Sequence, residues 1–165
     1  MKLFCRSVPT CLPVLGAALV LILGACSPGN LAEAKLERLK QDFKAANQAD
    51  SIEPMLALYH LEGANDSTVR LLKNALDYEL GLPIASIEFE PLTGAPEECI
   101  HYTHDGVEYG PSLPPSYRMR VDYKVEDRFS SLFTIGLCPD GNWRIICAKP
   151  KSGKRAPVRL TNAPF

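Results

Sequence analysis

The sequence predicts an α+β domain in which about three N-terminal helices pack on a curled antiparallel sheet of four or more strands. Two patterns carry this expectation. In the first half of the chain apolar residues recur at helical spacing, and in the second half they alternate with polar ones. The 165 residues are 46% hydrophobic and 22% charged, enough for one domain and too few for two full ones. A formal charge of −1 excludes a strongly basic nucleic-acid binder as the default, and no nucleic-acid partner is expected.

The elements follow in order. Leu36, Leu39, Phe43 and Ala46 mark the inner face of a first helix, with Asn30 as a candidate cap. Asp50 or Ser51 would cap a second helix, whose Met55, Leu56 and Tyr59 face inward. Pro54 falls in its first turn, where a missing N–H costs little. Asp66 would cap a third helix carrying Val69, Leu72, Ala75, Leu76 and Leu80, stopped by Gly81 and Pro83. Ile87 and Phe89 then alternate with Ser86, Glu88 and Glu90. Residues 98–112 read as a small hairpin turning at Asp105-Gly106. The clearest strand is Tyr117–Val125, with its odd-numbered residues buried. Phe133, Ile135 and Leu137 lie in the next strand, and Pro139–Asn142 turns the chain into Trp143–Ala148.

The N-terminus carries a different signal. Lys2 and Arg6 precede an uncharged, mostly apolar run from Leu12 to Ala25, the pattern of a secretory signal peptide. The run ends in Leu23-Gly24-Ala25-Cys26, which resembles the bacterial lipobox. That resemblance implies a signal peptide over 1–25, a diacylglyceryl group on the Cys26 thiol, cleavage before Cys26 and acylation, as by palmitate, of the new amino terminus. Two or three acyl chains give stable anchoring where one is marginal. The implied location is a bacterial cell membrane. Ser27 stands where Asp would signal inner-membrane retention, so in a Gram-negative host the outer membrane, facing the periplasm, is favoured.

Residues 26–30 would then be the lipidated Cys and a short tether, 31–148 the globular domain, and 149–165 a basic, Pro-containing flexible tail. Removing Lys2 and Arg6 makes the mature chain more acidic than the precursor, while Lys149, Lys151, Lys154, Arg155 and Arg159 make the tail basic. The order of elements over 31–148 looks like the cone fold shared by nuclear transport factor two and ketosteroid isomerase. The isomerases of that family use a carboxylate base, a Tyr and a second acid. No such set maps residue by residue onto this chain, so the resemblance implies a fold and no activity. Smaller envelope lipoproteins with two helices and three strands are a second match.

Few residues suggest chemistry. His101 and His104, near Glu97-Glu98 and Asp105, diverge in a strand, so no metal or cofactor site is expected. His60 ends the second helix, where an imidazolium would suit the dipole. Asp77 and Tyr78 with Tyr117 and Tyr123 could line a pocket between the third helix and the sheet, the Asp as general base. The same residues also read as core phenols beside an exposed helix carboxylate.

Cys99, Cys138 and Cys147 remain after Cys26 is lipidated, so one disulfide at most can form among them. If Cys138 faces Trp143 across the turn, Cys147 lies opposite Thr134 and too far from Cys138 to bond. A bond would join Cys99 to Cys147, or to Cys138; three reduced thiols are the alternative. Taken together, the sequence predicts a membrane-anchored lipoprotein displaying a non-enzymatic domain that binds a protein or an apolar small molecule. A tethered isomerase or dehydratase and a structural envelope component are the alternatives.

Overall fold

The computed structural model describes residues 28–155, with side-chain surroundings over 31–151. The architecture is α+β, with a five-stranded and a three-stranded sheet. Helix α1 (Pro28–Asn47) takes in Asn30 rather than being capped by it, and it buries Leu39, Phe43 and Ala46 as their spacing predicts. Helix α2 (Glu53–Leu56) is a single turn and has no side-chain cap. It stops because the chain must extend: Leu58 O accepts from Ile145 N at 2.9 Å, and Tyr59–His60 form strand β1. Helix α3 (Asp66–Glu79) is capped one residue earlier than expected. Asn65 Oδ1 accepts from Thr68 N at 2.8 Å. Its C-terminal stop is as predicted, with Gly81 at φ +79°. Gly81 N donates to Asn47 O, and the fully buried Asn47 amide donates to Leu82 O, so the ends of α1 and α3 are joined.

The large sheet has the order β1-β7-β6-β5-β2, where β2 is Ile84–Pro91, β5 Tyr117–Tyr123, β6 Ser130–Leu137 and β7 Trp143–Ile146. It is mixed rather than purely antiparallel, because β1 runs parallel to β7. In β5 the odd positions Met119, Val121 and Tyr123 are buried as expected, while Tyr117 is half-exposed at the strand end. They join Phe43, Met55, Leu76, Ile87, Ile135 and Ile145 in one core beneath the helices. Phe43 meets Phe133 with ring centroids 5.4 Å apart.

The β6–β7 register differs by one residue from the expected one. Leu137, not Cys138, faces Trp143. Gly141 N donates to Cys138 O and Cys138 N to Asn142 O, leaving Pro139-Asp140-Gly141 as a three-residue loop with Gly141 at φ +75°. The slip reverses one face assignment. Cys138 packs with Leu113 and Ile146 on the side away from the helices, whereas Cys147 lies in the main core.

The second sheet has the order β3-β4-β8: Tyr102–His104, Val107–Pro111 and Ala148–Arg155. The hairpin turns at Asp105 (φ 49°) and Gly106 (φ 73°), as predicted. Strand β8 corrects the expectation of a flexible tail from residue 149. Gly110 pairs with Lys149, Tyr109 with Pro150 and Val107 with Arg155. Backbone pairing to a waiting edge needs no apolar periodicity, so the basic, Pro-containing composition hid this strand. Residues 156–165 lie outside the described range. Single-residue Cys147 separates β7 from β8, and Cys147 O accepts from Ser112 N at 2.9 Å.

Candidate functional site

The expected pocket of Asp77, Tyr117 and Tyr123 does not assemble. Asp77 is exposed on α3, and Tyr78 beside it is 85% exposed. Tyr117 packs edge-on against Trp143 at 5.5 Å between centroids. The carboxylate that meets a phenol is Glu79, one turn-fraction further along α3. Its Oε2 accepts from Tyr123 Oη at 2.9 Å and its Oε1 from Ser131 Oγ at 2.6 Å. Helical rotation explains the difference: Glu79 is three residues beyond buried Leu76, whereas Asp77 points away. Both Glu79 oxygens are engaged by the sheet, which makes this a tie between helix and sheet.

Burial pushes the Tyr123 phenol well above its ordinary value of 10.0, and the Glu79 charge adds to it. Tyr59 is raised for the same two reasons in the same order. An unfolded chain ionises these phenols near pH 10, while the folded chain keeps them protonated. The unfolded state therefore binds fewer protons above that pH, and stability falls as pH rises. In denaturant titrations between about pH 9 and 11, Tyr123→Phe is expected to flatten this fall. An unchanged slope would show that Tyr123 ionises as freely as in the unfolded chain.

A second polar cluster lies on the opposite face of the sheet. Glu98 is 3% exposed and closes the 93–98 loop by accepting from Thr93 N, Gly94 N and Ala95 N at 2.8, 2.8 and 3.2 Å. Arg118 Nη1 lies 3.1 Å from Glu98 Oε1, and Arg118 and Arg120 both engage Glu90. Desolvation pushes the Glu98 carboxyl up, but the bonds from Thr93 and Gly94, with the Arg118 charge, outweigh it and hold the carboxyl below its ordinary value. These bonds tie the 93–98 loop to β5, and β5 to β2, as a structural network does.

The third arrangement is a cleft of about 300 Å³ between α1 and the β6–β7 turn. Leu39 and Leu58 form apolar lining, and Lys35, Arg38, Asp42, Asn142, Trp143 and Arg144 supply polar groups. Lys35 Nζ donates to Gly141 O at 2.6 Å. Gly141 permits this approach: a Cβ there would lie 2.9 Å from Nζ. Arg144 Nη1 donates to Ala57 O, and Arg38 Nε lies 3.6 Å from Asp42 Oδ2. Hydrogen bonds from the Asn142 backbone and side chain hold the nearby Asp140 carboxyl low, with smaller help from Arg144 and Lys35. Periodicity missed this cleft because Lys35 and Arg38 read as the wet side of a helix, and only the fold brings Arg144 to them.

The remaining candidates stay apart. His101 and His104 are exposed, and His104 Nε2 lies 3.5 Å from its neighbour Asp105. Among the described residues no three His, Cys, Asp or Glu side chains gather as metal ligands would. His60 lies in β1, not at a helix end, with Nε2 3.5 Å from Glu62. The suggested disulfide is not formed: Cys99 is an exposed free thiol at the end of a short 3-10 turn (Pro96–Cys99), and Cys138 and Cys147 are buried free thiols. Burial raises both buried thiols, so neither is an activated nucleophile. Cys26 lies outside the described residues, among which no helix is long and apolar enough to cross a membrane. No family model matches the chain, and no curated protein aligns with it significantly.

Proposed function

We propose that this chain is a bacterial lipoprotein, held at a membrane through acylated Cys26, whose α+β domain is a non-catalytic binding module. The observation that carries the reading is the run Leu23-Gly24-Ala25-Cys26 after a basic start and an apolar stretch. The position of α1 is in keeping with it, since the helix begins at Pro28, two residues beyond Cys26. A domain that starts so close to an anchor works at the membrane surface. Binding rather than catalysis is supported by the side chains: the buried or half-buried carboxylates Glu79 and Glu98 are each engaged by donors of their own protein, and the buried thiols are raised by desolvation. The cleft beside α1 is the concave site with unspent donors that such a module would use.

Metabolic labelling with a fatty-acid analogue tests the anchor. The wild-type chain is expected to take up label and lose its first 25 residues, while Cys26→Ser remains an unlabelled precursor. Normal processing and membrane partition of Cys26→Ser would overturn the reading.

A further inference from the structure

We infer that the cleft between α1 and the β6–β7 turn binds a phosphate group, carried by a phospholipid headgroup or by a soluble phosphate ester. The inference names the ligand class of the binding module proposed above, and it rests on that reading for the cleft's place at a membrane.

Three cations line or border one small space: Lys35 and Arg38 from α1, and Arg144 from β7. Asp42 in the lining and Asp140 nearby leave an excess of one positive charge. The donors are only partly spent. Lys35 makes one bond to a neutral carbonyl, as does Arg144, and an ammonium carries three N–H groups and a guanidinium five. Neither carbonyl neutralises its cation. Trp143 also lines the cleft, and its buried indole N–H has no hydrogen-bond partner among the described residues.

The donors stand on two sides of the cleft, on a helix and on a strand. A phosphate presents several anionic oxygens and can accept from both sides at once. Position favours the same ligand. At 1.5 Å per residue, Lys35 and Arg38 lie roughly 10 and 15 Å along α1 from Pro28. An acylated Cys26 would therefore keep the cleft within reach of the lipid headgroups.

Trp143 is the sole tryptophan and reports on the cleft directly. The full chain, in a neutral detergent, would be titrated with sn-glycerol 3-phosphate, with dihexanoyl-phosphatidylglycerol, and with sodium chloride at matched ionic strength. Saturable fluorescence change with either phosphate probe, absent with chloride, is the expected result. Response to both identifies phosphate as the recognised group, response to the lipid alone identifies the headgroup as its source, and response to the ester alone identifies a soluble source. Arg144→Gln should weaken binding roughly tenfold, the usual consequence of losing a charge-assisted bond. Arg144 also supports Ala57, so Lys35→Gln and Arg38→Gln serve as second variants, and Arg38, exposed and ion-paired only within α1, is the one whose loss leaves every tie between elements in place. No saturable response, a response equal to that of chloride, or undiminished binding in all three variants would overturn the inference. Because the titration does not depend on acylation, a failed Cys26 labelling and a failed cleft are separately visible.

Discussion

Val121→Asp is expected to remove about 3–5 kcal/mol of stability at neutral pH, while its neighbour Asp122→Val costs only a small fraction as much. Val121 is fully buried in the centre of β5, between Ile87 on β2 and Ser131 on β6. A carboxylate there has no cation within the core cluster, whose members are apolar or phenolic. Leaving a buried charge uncompensated costs about 3–5 kcal/mol, a large part of the 5–15 kcal/mol that holds a typical domain. Asp122 points to the other face, where Ser86 Oγ and Ser130 Oγ donate to it at 2.7 and 2.6 Å. Those hydroxyls turn to water when it is removed. The two midpoints in urea decide the matter, and pH provides a second check. A buried Asp has a raised folded value, so the unfolded state loses its proton first and the deficit of Val121→Asp should grow as pH rises above about 4. Equal losses for the two variants would contradict the register of β5.

Gly136→Ala is the second large effect, and it comes from one methyl group. Gly136 is the penultimate residue of β6, opposite Arg144, and its φ is not positive, so the cost is not conformational. A Cβ there would lie 2.7 Å from Pro114 O, 2.9 Å from Leu113 Cβ and 3.2 Å from Ile146 Cδ1. Two of these atoms belong to the 112–114 segment near its backbone and cannot rotate away. The segment or the strand must shift, and overpacking of this kind costs about 1–3 kcal/mol. The expected loss in melting temperature is roughly 4 °C per kcal/mol for a domain of this size. A midpoint equal to the wild type would show that the 112–114 segment yields freely and adds nothing to the small cluster of Leu113, Cys138 and Ile146.

How far the sequence could be read depended on whether local chemistry or distant pairing decides each element. Helix α3 was legible to within a residue of its cap, because Asn65, Leu76 and Gly81 act within a few positions of one another. The odd-numbered burial of β5 and the Asp105-Gly106 turn were legible for the same reason. Helix α2 was overread: Tyr59 fits a helical spacing, but pairing with Ile145 draws it into a strand. Strand β8 was missed because its partner β4, not its own pattern, makes it a strand. The β6–β7 register slipped by one because Pro139–Asn142 supports loops of three or four residues equally well on paper, and Gly141 in a left-handed conformation selects three. The site fared worse than the fold. Asp77 and Glu79 are both acids on one helix, and only the rotation of α3 against β5 and β6 says which meets the phenol. The cationic cleft needed Arg144 to be brought against α1, which no window of sequence contains.

Strand β7 sets the order in which this chain can become a protein. Helix α3 and the β3–β4, β5–β6 and β6–β7 hairpins close over short distances and are expected to form first. The pairing of Tyr59 with Ile145 closes most of the chain, and that of Gly110 with Lys149 closes a second long loop, so both carry the larger entropic cost and come late. They are adjacent, joined through Cys147, and one docking event can complete both sheets. A nascent chain lacking residues 143–155 has an apolar helix face and sheet face with neither edge closed. Such a chain stays open to association until its final strands arrive, and the native topology is committed only by its last quarter.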